Sequence, residues 1–373
     1  MEKINDFQIS ENPVIGFFGL GLIGGSIARA LRNALPGAVI KACDRDRASL
    51  DLALRDGVVN EAFDTPSGDF LSCEVLFLCA PVLENDSMIL ELSDKIGDNT
   101  LITDVGSVKK STCQAIASTP LAKAFIGGHP MAGSEKTGYA NSGASLLENA
   151  YYILTPSEQV SEEKVAFFRE LIAKTGAIPI VMSPDKHDEV TAAISHLPHI
   201  VAAALVSLIR DMDDEDRTMK LIAAGGFKDI TRIASSSPVM WQSICRANSE
   251  NITDMLEAYI RSLEEILSIV QKRDLDALYQ LFSGAKEYRD SFQIADHGPI
   301  KKVHDLYVDI PDVPGSLAKT ATILADQDLS IKNIGIMHSR EFQEGALRIE
   351  FYDDATAAKA AEVLRGEGYR LFR

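Results

Sequence analysis

At 373 residues, 46% hydrophobic and 24% charged, the chain has ordinary globular composition and length for two or three separately cored domains, which argues against disorder. Its formal charge of −17 argues against nucleic acid and anionic membrane as partners, although local basic clusters can still attract a small anion. Five scattered cysteines, Cys43, Cys73, Cys79, Cys113 and Cys245, form no close CxxC pair, so neither a disulfide framework nor a cysteine zinc site is indicated.

The opening segment MEKINDFQISENP lacks a basic-then-apolar signal pattern, so the cytoplasm is the expected compartment. An apolar run at 14–18 leads into Gly19-Leu20-Gly21-Leu22-Ile23-Gly24, and 26–35 has helix-forming composition. In this strand, glycine turn and helix, the first glycine permits the tight turn and the second lets a pyrophosphate approach the backbone. The third lets helix pack on strand, while amides from Leu22 and Ile23 onward offer donors to phosphate. GxGxxG alone is weak, but a second strand at 38–43 ends at Asp44, twenty residues beyond Gly24, where an acid accepts from ribose hydroxyls. An acid there favours NAD over NADP, whose extra phosphate it would repel.

Further strands are expected at 75–80, 101–105, 124–127, 151–155 and 177–182, in a doubly wound parallel sheet. Ligands bind beyond the carboxyl ends of such strands, an edge that presents Pro81, Gly106-Ser107-Val108-Lys109 and Gly128-His129-Pro130. Ser107 and the titratable His129 would converge there on one cleft. Ser107 also reads as a helix N-cap and His129 as a structural turn histidine, but the glycines and prolines around His129 suit close ligand approach.

At Ser183-Pro184-Asp185 the alternation stops, a domain boundary is placed, and a helical region opens that runs to about Phe282. Its segment 190–209 is apolar nearly all round, as a helix central to a bundle or dimer interface would be. Ser195, His196, Pro198 and His199 interrupt it and favour a buried helix over a membrane span. Pro198 removes the amide that would bond the Ile194 carbonyl, which predicts a kink beside His196 and His199. These two histidines share a helix face and with His187 invite a metal reading, but no HExxH pattern occurs and no metal is expected. The acidic run 211–216, DMDDED, lacks a calcium-loop glycine and reads as a solvated loop. A second glycine-opened turn, Gly225-Gly226-Phe227-Lys228-Asp229-Ile230-Thr231-Arg232, can hold an anion. Arg232 offers a bidentate fork to a carboxylate, Asp229 would orient it, and Trp241 would wall a cyclic substrate. The alternative is an ordinary salt bridge between Asp229 and Arg232.

After a linker at 298–302 the pattern reads strand 304–310, helix 316–326, strands 330–339 and 346–352, helix 355–365 and strand 369–372. That βαββαβ order is ferredoxin-like, an arrangement that serves many unrelated functions.

The blocks GLGLIGGS, DVGSVK, GGHPMAGSEKTG, SHLPH and FKDITRIASSSPVMW, in this order and spacing over nearly the whole chain, resemble the prephenate dehydrogenase family of tyrosine biosynthesis, in its form with a C-terminal ACT domain. The fold expected is an α/β Rossmann-like dinucleotide-binding domain at 12–183, an all-α helical dimerisation domain at 184–297 and a ferredoxin-like βαββαβ ACT domain at 302–373, in a homodimer. The resemblance implies NAD-dependent oxidative decarboxylation of prephenate to 4-hydroxyphenylpyruvate. Neutral His129 would take the hydroxyl proton and Ser107 would bond the same hydroxyl. Arg232 would clamp a carboxylate, with His196 and His199 orienting the dianion, while Glu135, Asp229 and Arg232 resemble an ionic gate. The segment 309–334 resembles the ACT signature, in which Pro314-Gly315 and the strand near Asn333 border an amino-acid site. Tyrosine is the effector this implies, with dimerisation alone as the alternative. Arogenate dehydrogenase, whose substrate carries an ammonium in place of the keto group, stays open as a reading. So does a non-catalytic NAD and amino-acid sensor, which would not need Ser107, His129 and Arg232 together.

Overall fold

A computed structural model describes residues 10–66, 68–93, 95–97, 100–134, 136–294, 304–311, 313–337 and 346–372. Glu135 and the expected linker at 298–302 lie outside the described residues. The chain divides into two compact units, 1–267 and 268–373.

In the first unit, β1 (Val14–Phe18), β2 (Val39–Cys43), β3 (Glu61–Phe63), β4 (Val75–Leu78) and β5 (Leu101–Asp104) form a parallel sheet in the order β3-β2-β1-β4-β5. The crossovers carry α1 (Leu22–Ala34), α2 (Arg47–Arg55), the single turn α3 (Gly68–Leu71) and α4 (Val82–Leu92), and α5 (Lys110–Ala117) follows β5. Both faces of the sheet are covered, so β4 and β5 are buried at every position, and β4 reads as an unbroken apolar run rather than an alternating one. On one face Phe17 stacks on Phe77 at 4.9 Å, and Ile15, Ile27 and Leu31 fill the space under α1. On the other, Phe70, Leu76, Leu78, Ile89 and Phe125 form a second core.

The next three strands correct the expectation of a parallel sheet throughout. β6 (Ile126–Pro130), β7 (Tyr151–Pro156) and β8 (Ile178–Val181) form a sheet in that order, with β7 antiparallel to β6 and β8 parallel to β7. A parallel bridge between Ile102 and Phe125 carries β5 into the segment before β6. Among the described residues, the connection from β6 to β7 holds only short 3-10 turns, Tyr139–Asn141 and Ala144–Leu147, and a parallel return would need a full crossover element. Such an element, α6 (Glu162–Ala173), does join β7 to β8.

The helical region opens where the sequence predicts, with Ser183 capping α7 (Pro184–Thr191) by accepting from the Lys186 amide. The expected kink at Pro198 takes the form of a π-helical turn, Ala192–His196, directly before α8 (Leu197–Met212), so the wider turn absorbs the missing amide. There follow α9 (Thr218–Ile222), α10 (Gly225–Thr231), a 3-10 turn Arg232–Ser235, α11 (Pro238–Ala247) and α12 (Ser249–Lys272). Asp213 and Asp214 of the acidic run accept amides at the start of α9. The expectation that 190–209 is a buried helix is not met within one chain. Few residues of the helical stretch Pro184–Met212 are fully buried, and Ile194, Leu208 and Met212 are more than half accessible.

The second unit contains α13 (Leu275–Ile294), β9 (His304–Asp309), α14 (Ser316–Ala325), β10 (Asn333–Met337), β11 (Ala346–Phe351), α15 (Asp354–Gly366) and β12 (Leu371–Phe372). The four strands form an antiparallel sheet in the order β10-β11-β9-β12, the ferredoxin-like arrangement, over a core of Val308, Leu324, Leu347, Ile349, Phe351 and Leu364. Exposed Pro314 and Gly315 open α14, Gly315 with φ 93°, and exposed Asn333 opens β10.

Candidate active site

The glycine turn is built as its spacing predicts. Gly19 follows β1 at φ 88°, and a Cβ there would stand 3.0 Å from the backbone of Cys79. A Cβ on Gly24 would stand 2.5 Å from the Gly19 carbonyl oxygen and 3.1 Å from Cys79 Sγ, so only glycine lets α1 lie this close to the sheet. Around Gly21 a Cβ would meet nothing within 4 Å. That open position stands at the start of α1, whose first turn, Leu22 and Ile23 included, has neither a side-chain cap nor an acid. Such amides beside open space fit a pyrophosphate. Asp44, past the end of β2, accepts from the Leu20 amide at 2.5 Å and the Asp46 amide at 2.7 Å, so its carboxylate braces the turn and keeps lone pairs for ribose hydroxyls. Exposed Pro81, past the end of β4, is the N-cap of α4.

His129 lies inside β6, opposite Ile153, rather than past a strand ending at 127. The preceding glycines serve strand packing: a Cβ on Gly128 would stand 2.5 Å from the Asp104 carbonyl oxygen, and one on Gly127 would stand 2.3 Å from Thr155 Oγ1. Below them Lys109 and Asp104 form a fully buried ion pair. Asp104 also accepts from the Gly106 amide at 2.9 Å and the Gly128 amide at 3.2 Å, and Lys109 Nζ donates to the Gly128 carbonyl at 2.8 Å. The strand that carries His129 is thereby pinned to the turn after β5.

From α7, the Asp188 carboxylate accepts the Lys109 amide at 2.8 Å and the Lys110 amide at 2.9 Å, and its Oδ1 lies 2.7 Å from His187 Nδ1. His187 Nε2 in turn lies 2.8 Å from His129 Nδ1. Both His187 and Asp188 are buried, while His129 keeps part of its surface accessible. Burial, then the neighbouring His187, Lys109 and His196, hold His129 well below the ordinary imidazole value, so it is neutral at pH 7. Burial lowers His187 as well, against the pull of Asp188.

The π turn and α8 supply the next wall. Buried His196 meets Asn248 Nδ2 through Nδ1 at 3.2 Å, leaves its buried Nε2 without a partner among the described residues, and is lowered to about 4 by burial. Asn248 also donates to the Asp188 backbone carbonyl at 2.9 Å. His199 lies against the Trp241 ring at 4.0 Å between centroids and His196 meets its edge at 5.9 Å, while the buried Trp241 Nε1 has no hydrogen-bond partner among the described residues. The structure therefore joins His129 to His187, and His196 to His199 through Trp241, with Asp188 and Asn248 between the two groups.

It does not join every expected residue. Ser107 is half-buried in the turn after β5 and makes no hydrogen bond among the described residues. Arg232 and Asp229 are both exposed and form no salt bridge with each other among the described residues. From the sequence alone, Asp188 and Asn248 have no assigned role, Asp104 and Lys109 figure only within the DVGSVK block, and His187 figures only as a metal candidate. A signal existed: Asp104 and Lys109 bracket an otherwise apolar strand end, and His187-Asp188 places an acid next to an imidazole one turn after the Ser183 cap.

The family described as prephenate dehydrogenase, nucleotide-binding domain, matches residues 27–181, and prephenate dehydrogenase, dimerization domain, matches 183–284. The prephenate dehydrogenase of Bacillus subtilis (strain 168) is 40% identical over 357 residues, 95% of this chain and 96% of that protein. The crystal structure of prephenate dehydrogenase from A. aeolicus in complex with hydroxyphenyl propionate and NAD+ has a TM-score of 0.71 at 31% identity, covering 75% of this chain and 98% of that one. Synechocystis arogenate dehydrogenase has a TM-score of 0.65 at 28% identity, covering 75% of this chain and 99% of that one. With a dinucleotide turn, a neutral histidine pinned in β6 and these matches along its length, the chain belongs to the prephenate dehydrogenase family.

Proposed function

We propose that the chain carries out the NAD-dependent oxidative decarboxylation of prephenate to 4-hydroxyphenylpyruvate. The observation that carries this reading is His129, neutral and held through Nδ1 in β6, in a chain whose first glycine turn is shaped for a dinucleotide. NAD, when bound to the Gly19–Gly24 turn, supplies the hydride acceptor. His129 takes the proton of the substrate hydroxyl at Nε2, and Ser107, without a hydrogen-bond partner among the described residues, bonds the same hydroxyl and orients it. Arg232, exposed and unpaired among the described residues, clamps a substrate carboxylate, with Glu135 and Asp229 forming a gate around it. The partnerless Nε2 of His196 and Nε1 of Trp241, together with His199, bind and orient the substrate.

The direct test is NADH formation by the purified chain on prephenate and on arogenate. A higher kcat/KM on prephenate supports the proposal; a higher value on arogenate would make the chain an arogenate dehydrogenase, and no NADH on either would leave only a binding role. In the same assay Arg232→Ala should raise KM for prephenate by about 10- to 100-fold and leave kcat nearly unchanged, because losing a charge-assisted bond costs roughly 1.5–3 kcal/mol of binding.

Three further features belong to this reading. The domains are assigned as 12–183 for the dinucleotide, 184–297 for substrate and dimerisation, and 302–373 as an ACT domain, in a cytoplasmic homodimer. The dimer is supported by apolar side chains left exposed in one chain: Ile194 in the π turn, Leu208 and Met212 on α8, and the helical stripe Ile260, Leu263 and Leu267 on α12. The ferredoxin-like unit, opened by Pro314 and Gly315 with Asn333 starting a strand, is assigned to tyrosine as feedback effector. Tyrosine should inhibit the full chain and lose most of its effect on a chain ending near Asp296; undiminished inhibition would place the effector at the active site.

A further inference from the structure

The reading of His129 as base leaves open which of its ring nitrogens is bare, and a base must present its lone pair to the substrate. We infer that His187 and Asp188 are positioning residues that hold His129 in the tautomer with Nδ1 protonated and Nε2 free, and that this pair stabilises the imidazolium formed when Nε2 takes the substrate proton. The inference rests on His129 as base, and it follows from counting donors and acceptors along the chain of contacts.

Asp188 ionised is an acceptor only. Its two oxygens already take the Lys109 and Lys110 amides, contacts that fix the carboxylate at the start of α5 and stop it from turning. The atom 2.7 Å from Asp188 Oδ1 is His187 Nδ1, which must therefore carry hydrogen. A neutral imidazole with hydrogen on Nδ1 has its lone pair on Nε2. That lone pair faces His129 Nδ1 at 2.8 Å, so His129 Nδ1 is the donor of this bond and its Nε2 is left bare. The opposite tautomer at His129 would set two lone pairs against each other within buried surroundings. When His129 gains a proton at Nε2, its Nδ1–H bond to His187 becomes charge-assisted, and Asp188 lies one ring further along the same line. No proton need pass to Asp188 for this to hold. Asn248 secures the arrangement from the other side, binding the Asp188 carbonyl and His196 Nδ1 with one amide group.

A merely structural His187 would be needed for packing but not for the choice of tautomer. Glutamine separates the two roles, because its carboxamide offers an acceptor to His129 and a donor to Asp188 much as the imidazole does, whereas leucine fills similar volume with neither. On the full chain, His187→Leu should lower kcat on prephenate by about 100-fold with KM for prephenate and Kd for NAD within about threefold of the parent, and His187→Gln should recover at least roughly tenfold of the loss. A His187→Leu kcat near that of the parent, or a glutamine variant no better than leucine, overturns the inference. If His187→Leu does not fold, nitrogen-15 NMR of the histidine-labelled parent chain decides, with the His129 signals assigned by their loss in His129→Asn. Protonated Nδ1 and bare Nε2 at His129 near neutral pH support the relay, and the reverse pattern overturns it. Full turnover in His129→Asn would sink the base reading itself; an inactive His129→Asn beside a fully active His187→Leu would sink only the relay.

Discussion

Replacing His129 with asparagine should lower kcat on prephenate by about 10²- to 10⁴-fold while KM changes little, the range expected when a positioned general base is removed. Asparagine keeps a polar side chain on β6, and the backbone pairing opposite Ile153 does not depend on the imidazole, so the strand should survive the change. What disappears is the lone pair that takes the hydroxyl proton, which acts in the transition state rather than in binding. Steady-state NADH formation checks this, and near-normal turnover would remove His129 from the catalytic role. The pH profile adds a sign. Burial and the neighbouring His187, Lys109 and His196 hold His129 below 6.5, so the base stays unprotonated further into acid than a free imidazole. The acid limb of kcat/KM should therefore lie below pH 6.5, and a limb centred above it would contradict the assignment.

Lys109→Met should destabilise the first unit by about 3–5 kcal/mol, the cost of leaving one member of a buried ion pair uncompensated. Both side chains of the Asp104–Lys109 pair are fully buried, so no water can replace the ammonium. Methionine matches the stem of lysine in size, which separates the charge effect from a cavity. Removing Asp104 as well, in an Asp104→Leu and Lys109→Met double variant, should recover only part of the loss, because the carboxylate also accepts the Gly106 and Gly128 amides. Urea unfolding of the full chain measures both changes; a loss below about 1 kcal/mol for Lys109→Met would mean that the pair does not hold β6 in place.

The parts legible in the sequence were those whose physics is local. Gly19, Gly21 and Gly24 answer to a turn, an open approach and a close helix contact within six residues, and each is found in that role. The helix start at Ser183-Pro184-Asp185 is likewise local, since the Ser183 hydroxyl needs only the amide three residues on. The βαββαβ order of the last unit follows from periodicity, although 338–345 lies outside the described residues. The parts that escaped depend on partners distant in sequence. β3 is three residues with one charge, too short for a pattern, and exists because β2 pairs with it. The reversal of β7 is decided by the route of a connection whose composition does not announce it. His187 looked like a companion of His196 and His199 because all three lie within thirteen residues, but the π turn separates them and turns His187 toward β6. Burial of 190–209 was read from composition, which cannot say whether the same chain or another one covers an apolar face.

The account stands on His129, the glycine turn and Arg232 surrounding one small volume. A crystal structure of the full chain with NAD and 4-hydroxyphenylpyruvate tests this most directly. The ligand hydroxyl should lie about 3 Å from both His129 Nε2 and Ser107 Oγ, with a carboxylate on the Arg232 guanidinium. A ligand whose hydroxyl meets neither side chain, or whose carboxylate is held without Arg232, would contradict it.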